Sequence, residues 1–435
     1  MSRPGWAVLV ALAIVLVAGT ALRVSATLDP NGYSSPDELN YTILGTTIAT
    51  GGSYAAALNT GYGEAYHWPP GTPLLFAASH ELTGDLGPNP AYWAQTVVGV
   101  LLIVICMLLA ARLAGWWAAV AAGGAVALYP PLIRQSGDLL SEPLGALALA
   151  AAALGVLWAW ERRSVWWFAV PGAALAVLVL TRTDHLLLPA FATLLVGVAL
   201  WRRDGLARGA AGAAVMAAAT LVLVLPWVLH ASAALEKPVP ITTGGGSALF
   251  VGTYLPGDGR TGGLKRALAD EARALNPKFR DTPTSELPAG AALAVIAARH
   301  PDLSREEAVQ REGRRNLVRY GLGQPIDFTS MMVAKSWRMW TNPFSGGGYA
   351  NTGLDRLWHR ILLAFGAAGL VLALWRTRHP ALLFCLLALV LGSGIHAIVV
   401  SQPRYNLPLM PLLLTAGAIG WARALGARPA GRVRS

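Results

Sequence analysis

The sequence predicts an all-helical protein that crosses a membrane about ten times. Hydrophobic residues make up 54% of the 435, and only 13% are charged, against roughly 25% in soluble domains. The mean hydropathy is +0.49. The apolar residues are also gathered into runs near 6–22, 91–111, 116–133, 141–160, 165–181, 186–201, 209–230, 357–375, 380–400 and 407–425. Each approaches the roughly 20 residues that a spanning helix needs.

The first run reads as an uncleaved helix. Val24-Ser25-Ala26 resembles a cleavage site, but the apolar stretch is long for a signal core and Arg23 intrudes before it. With the N-terminus on the cytoplasmic side, the inner segments carry Arg3, Arg112, Arg162, Arg163, Arg202, Arg203, Arg208, Arg376, Arg378, Arg423, Arg428, Arg432 and Arg434. The short outer segments contribute only Arg23, Arg134, Arg182 and Arg404. This asymmetry fixes the orientation and brings the C-terminus back to the cytoplasm. The net charge of +11 is therefore a topology and headgroup signal, and nucleic acid is not an expected partner.

Two outer segments exceed mere connections. The expected organisation is an N-terminal transmembrane module (1–230) with a first outer loop at 24–90, an outer loop domain (231–356), and C-terminal helices with a basic tail (357–435). Within the second loop, Ile241–Gly263 is glycine-rich and reads as loop. Arg299–Tyr320 reads as an amphipathic helix at the membrane face. Lys335 and Arg338 read as part of an interfacial helix anchored by Trp337 and Trp340. No solenoid repeat and no paired interrupted helices of an inverted-repeat transporter are visible.

Chemistry has few places to sit. Cys106 and Cys385 both lie in apolar runs, which excludes a disulfide framework and a thiolate zinc site. No C-x-x-C, H-E-x-x-H, G-x-S-x-G or G-K-[ST] constellation appears. His185, His230 and His396 lack spaced partners and read as packing residues. The first outer loop is more informative. Ser35-Pro36-Asp37-Glu38 is a well-formed helix start; it also places two carboxylates where a lipid-borne phosphate meets water. A carboxylate there can take a proton from an attacking hydroxyl. The second can orient the acceptor or join the first in holding a divalent cation, and spacing alone leaves both roles open. Asp138 and Glu142 can cap a helix or shape a cavity.

The acidic pair Asp37-Glu38, followed by Trp68-Pro69-Pro70-Gly71 opening a hydrophobic segment, resembles the membrane glycosyltransferases of the C superfamily (GT-C). The resemblance is to family 39, which includes protein O-mannosyltransferases and the aminoarabinose transferase of lipid A. S-G-D-L-L-S-E-P at 136–143, L-T-R-T-D-H at 180–185, G-G-G-S-A-L-F-V-G-T-Y at 244–254 and Q-P-R-Y-N-L-P-L-M-P at 402–411 follow in the family's order. It implies a GT-C fold whose outer loops carry juxtamembrane helices. The implied activity is inverting transfer of a monosaccharide from a polyprenyl phosphate, decaprenyl or undecaprenyl, to a hydroxyl of a glycan, glycolipid or protein.

Asp37 matches the general base and Glu38 its supporting acid. The turn Tyr66-His67-Trp68 departs from the family's form: His67 is shifted one place from the prolines and the usual Lys is absent. Arg404, Arg182, His67 and Tyr405 are the candidates for the carrier phosphate, since Arg suits bidentate phosphate contacts. Glu64, Tyr66, Trp68 and Asp138 are candidates for the donor and acceptor pocket. No cofactor is required, though a divalent cation at Asp37 and Glu38 is allowed. The arginine and alanine bias suggests a GC-rich bacterial source, hence an inner-membrane protein with an extracytoplasmic active site. The rival readings are an oligosaccharide ligase or polymerase using pyrophosphate carriers, and a lipid-linked sugar flippase.

Overall fold

The computed structural model describes residues 4–30, 32–33, 35–55, 66–344 and 352–427. Among these there is no strand. The helices are α1 (Trp6–Leu28), α2 (Pro36–Ala49), α3 (Gly71–Thr83), α4 (Asn89–Ala114), α5 (Trp116–Ala127), α6 (Pro130–Arg134), α7 (Glu142–Arg162), α8 (Ala169–Thr181), α9 (Leu188–Asp204), α10 (Leu206–Ala234), α11 (Gly245–Thr253), α12 (Thr261–Leu275), α13 (Ala289–Ala298), α14 (Arg305–Gly323), α15 (Pro325–Thr341), α16 (Gly353–Arg376), α17 (Pro380–Ile398) and α18 (Met410–Ala424). Every apolar run of the sequence has become a helix. Among the described residues seven helices, α1, α4, α7, α10, α16 and α17 among them, are long and apolar enough to cross a membrane. Helices α5, α8 and α18 are shorter, at 12, 13 and 15 residues.

The run at 116–133, expected to be one span, is broken into α5 and α6. Pro130 drives the preceding residue out of the helical region, and Tyr129 is extended (φ −82°, ψ 109°). The carbonyls freed at the end of α5 are taken up by Arg23. Its guanidinium donates to Ala127 O and Val126 O, both at 3.2 Å, and to Gly19 O at 3.1 Å. Arg23, counted above among the outer charges, is thus wholly buried inside α1 as a cap on α5.

Helices α16 and α18 meet backbone to backbone. A Cβ on Gly369, Gly417 or Gly420 would overlap the facing main chain, so only glycine permits this approach. Here α18 anchors the segment that carries Arg404.

Residues 241–263 are not the loop their glycines suggested. They contain α11, which lies across the end of α17: a Cβ on Gly252 would overlap Val399, so these glycines serve close packing rather than flexibility. Phe250 of α11 joins Leu264, Leu268, Leu287, Leu293, Ile296 and Val309 in a second apolar cluster, separate from the large core of the bundle. The amphipathic helix begins later than expected, at Arg305, because Ser304 and Glu307 form a reciprocal capping box.

The Lys335 side chain lies inside the protein. It is 1% exposed, and its ammonium donates to Gly252 O at 2.7 Å and Val399 O at 2.9 Å, with Ile398 O at 3.5 Å. It ties together the C-terminal ends of α11 and α17, where a cation is electrostatically favoured.

Candidate active site

The N-terminus of α2, the turn before α3, the ends of α7, α8 and α17, the start of α11 and the turn before α18 converge on one cavity of about 470 Å³. Pro36 opens α2 as its first residue, and this sets Asp37 at the cavity wall. The Asp37 carboxylate pairs with Arg404 and accepts a hydrogen bond from Trp68 Nε1 at 3.3 Å. Arg404 belongs to a single 3-10 turn, Pro403–Asn406, which Asn406 fastens to α15 by donating to Met339 O at 2.6 Å.

Beyond this pair lies a chain of charges. Arg404 Nε is 3.5 Å from Glu142 Oε1, and Arg182 Nη1 is 2.9 Å from the same oxygen. Arg182 also donates to Ser141 Oγ at 3.3 Å and to Asp184 at 2.7 Å. Asp184 then meets His185 Nδ1 and His396 Nε2, each at 2.9 Å. Tyr405 stacks on His396 with ring centres 4.4 Å apart, and both guanidinium carbons lie 5.5 Å from the tyrosine ring.

Burial pushes the Asp37 carboxyl up, but the charge and hydrogen bond of Arg404, with the Trp68 bond, outweigh it. The group is held below the usual carboxylate range. Burial lowers His67, against a smaller upward pull from Asp37, so its imidazole sits below its ordinary value. Burial likewise lowers Arg404, but Asp37 and Glu142 raise it further, keeping it charged.

Of the residues singled out in the sequence, Asp37, Arg404, Arg182, His67, Trp68 and Tyr405 all line the cavity. Glu38 does not. It is fully buried, accepts from Leu139 N at 3.4 Å and Ser35 Oγ at 3.2 Å, and so fixes α2 against the segment before α7. Asp37 and Glu38 therefore point to different partners rather than converging on one cation. Among the described residues no group of three or more His, Cys, Asp or Glu is arranged so that it could hold a metal ion.

Tyr66 has a left-handed backbone (φ 69°), which turns its ring away to His230 Nε2, 3.0 Å from the hydroxyl. Asp138 is buried beside Gln135, whose amide donates to it at 3.0 Å, and lies off the cavity. Glu64 falls outside the described residues. Sequence reasoning left Glu142 open between a helix cap and a cavity residue, read His396 as packing, and did not single out Tyr41. Glu142 bridges the two arginines; His396 and Tyr41 line the cavity.

Residues 67–230 match the family model described as dolichyl-phosphate-mannose-protein mannosyltransferase. The structure is similar to the oligosaccharyltransferase AglB of Archaeoglobus fulgidus in complex with an inhibitory peptide and a dolichol-phosphate. That likeness has a TM-score of 0.58 and 18% identity, covering 97% of this chain and 52% of that one. The likeness is one of fold: this chain shares the fold of that enzyme. The same archaeal enzyme tethered to an acceptor peptide aligns at a TM-score of 0.56 with 16% identity, over 97% of this chain and 50% of that one. ArnT of Cupriavidus metallidurans bound to undecaprenyl phosphate is more distant: TM-score 0.43, 18% identity, 96% of this chain and 78% of that one. The chain described here spans about half the length of AglB. No curated protein matches its sequence.

Proposed function

We propose that this protein is an inverting glycosyltransferase that moves one sugar from a polyprenyl phosphate to an acceptor hydroxyl. The observation that carries the reading is the pairing, in one cavity, of a half-buried carboxylate on a helix N-terminus with two arginines. An acceptor oxygen attacks the anomeric carbon while Asp37 takes its proton. The bond from that carbon to the phosphate oxygen breaks, and the departing phosphate carries off the electron pair. Arg404 and Arg182 are the donors suited to the charge that develops there. Leu186, Leu187, Ile395 and Val399 on the cavity wall suit the first isoprene units of the carrier.

The cavity volume lies in the range of single small-ligand sites, roughly 300–1,000 Å³, and is compatible with one sugar beside the carrier phosphate. The arginine asymmetry supports placing this site on the outer face of a bacterial plasma membrane. His67, at the rim beside Asp37, is a candidate acceptor contact. Purified protein in nanodiscs, given a panel of polyprenyl-phosphate pentoses and hexoses with envelope lipid extract, should release free polyprenyl phosphate detectable by mass spectrometry. Release should disappear in Asp37→Asn. Folded protein that binds carrier yet releases nothing from any donor would transfer the case to a flippase or a pyrophosphate-dependent ligase.

A further inference from the structure

Arg404 serves two partners that the reaction needs apart. Its guanidinium pairs with Asp37 through Nη2 and approaches Glu142 with Nε at 3.5 Å. Two guanidinium groups, Arg182 and Arg404, thus face three carboxylates, Asp37, Glu142 and Asp184. A phosphate entering this cavity adds negative charge where the cations are already engaged. It must take a cation contact from a carboxylate, because an unpaired buried anion is costly.

The two arginines are not equally held. Arg182 has contacts of 2.9 Å to Glu142 and 2.7 Å to Asp184, and its side chain is 5% exposed. Arg404 has one close carboxylate, Asp37, and its side chain is 17% exposed. Asp37 is also the most exposed of the three carboxylates, at 30% against 1% for Glu142 and 14% for Asp184, so water can replace a lost partner most readily there.

Building on the reading above, we propose that the donor's phosphate and Asp37 compete for the Arg404 guanidinium, so that seating the phosphate is what releases Asp37 to act as a base. While paired, Asp37 is a poor proton acceptor, since an adjacent cation favours its charged form. When Nη2 turns to the phosphate oxygens, that hold is lost and the carboxylate regains basicity beside the acceptor. Glu142 is a positioning residue: its contact with Nε keeps Arg404 in the cavity while the other end changes partner. The base is thereby switched on only when a leaving group is in place.

The test is equilibrium binding of undecaprenyl phosphate, which carries no sugar and cannot turn over, to nanodisc-embedded wild type, Asp37→Asn, Arg404→Gln and the double variant. Asp37→Asn frees Arg404 and should tighten binding at least tenfold; Arg404→Gln should weaken it. In the Arg404→Gln background the gain from Asp37→Asn should fall to threefold or less. Simple repulsion between Asp37 and phosphate would instead give the same gain in both backgrounds, and that result overturns the proposal, as does no gain in the wild-type background. Either of these leaves the polyprenyl-phosphate site itself standing. Absence of binding in every folded variant would remove the site reading and the proposal together. If Arg404→Gln does not fold, Arg404→Lys replaces it: a point charge cannot span Asp37 and Glu142, so the gain should shrink there too.

Discussion

Replacing Lys335 by methionine should loosen the junction between α11 and the bundle without removing any side chain that lines the cavity. Methionine has nearly the length of lysine and no donor. The substitution leaves Gly252 O and Val399 O, now at 2.7 and 2.9 Å from the ammonium, without that partner. A buried acceptor left unsatisfied costs about 1–3 kcal/mol, so the pair costs about 2–6 kcal/mol. The variant also escapes the desolvation of a buried ammonium, which brings the net to the low end, about 2–3 kcal/mol. At roughly 1.4 kcal/mol per tenfold, that is about a 30- to 150-fold rise in the local opening equilibrium. Hydrogen exchange followed by mass spectrometry on peptides covering Gly245–Thr253 reads this directly. Exchange there within threefold of wild type would refute the reasoning, and would mean that the carbonyls find other donors. Because Ala248 and Val399 both line the cavity, a weaker hold on the carrier should accompany the opening.

Other outcomes follow from the same geometry. Asp37 must be ionised to act, and Arg404 holds its carboxyl below the usual range. The acid limb of kcat/KM should therefore fall below about pH 4 in the wild type and move up in Arg404→Gln; an unmoved limb would detach it from Asp37. Glu142→Gln removes the carboxylate between two arginines and should cost about 3–5 kcal/mol of stability, read as a lower unfolding temperature in detergent, with activity lost. Trp68→Phe deletes one donor to the ionised Asp37 carboxylate and should reduce turnover by roughly ten- to a hundredfold, since a hydrogen bond to a charged group is worth about 1.5–3 kcal/mol. Gly417→Leu should abolish folded yield, because the side chain has nowhere to go between α16 and α18; a stable, active variant would show that the helices can part.

The membrane helices were legible because lipid sets a compositional requirement that a single chain displays openly. What composition does not show is where a span stops within the bilayer. The break at Tyr129 rested on one Pro-Pro pair, and its compensation came from Arg23, more than 100 residues away. The site divided in the same manner. Asp37 and Arg404 were each recognisable from their own short motif, yet their contact joins residues 367 apart. His396 looked isolated because its partner, Asp184, lies 212 residues upstream. Glu142 looked like a helix cap until Arg182, held 41 residues from the neighbouring Ser141, closed on it. Glu38 was matched to a supporting acid beside Asp37, but its carboxylate faces Leu139 N and Ser35 Oγ, contacts that adjacency in the sequence does not display.

The glycine contact between α16 and α18 bears on how ancestry should be read in this chain. None of Gly366, Gly369, Gly417 and Gly420 lines the cavity, yet a side chain at Gly369, Gly417 or Gly420 would strike the facing backbone. A tally of invariant positions across descendants would rank these glycines beside Asp37 and Arg404. Only chemistry separates the two groups: exchange at the seam should end in a protein that never assembles, whereas, on the function proposed above, exchange at Asp37 should end in one that assembles and does nothing.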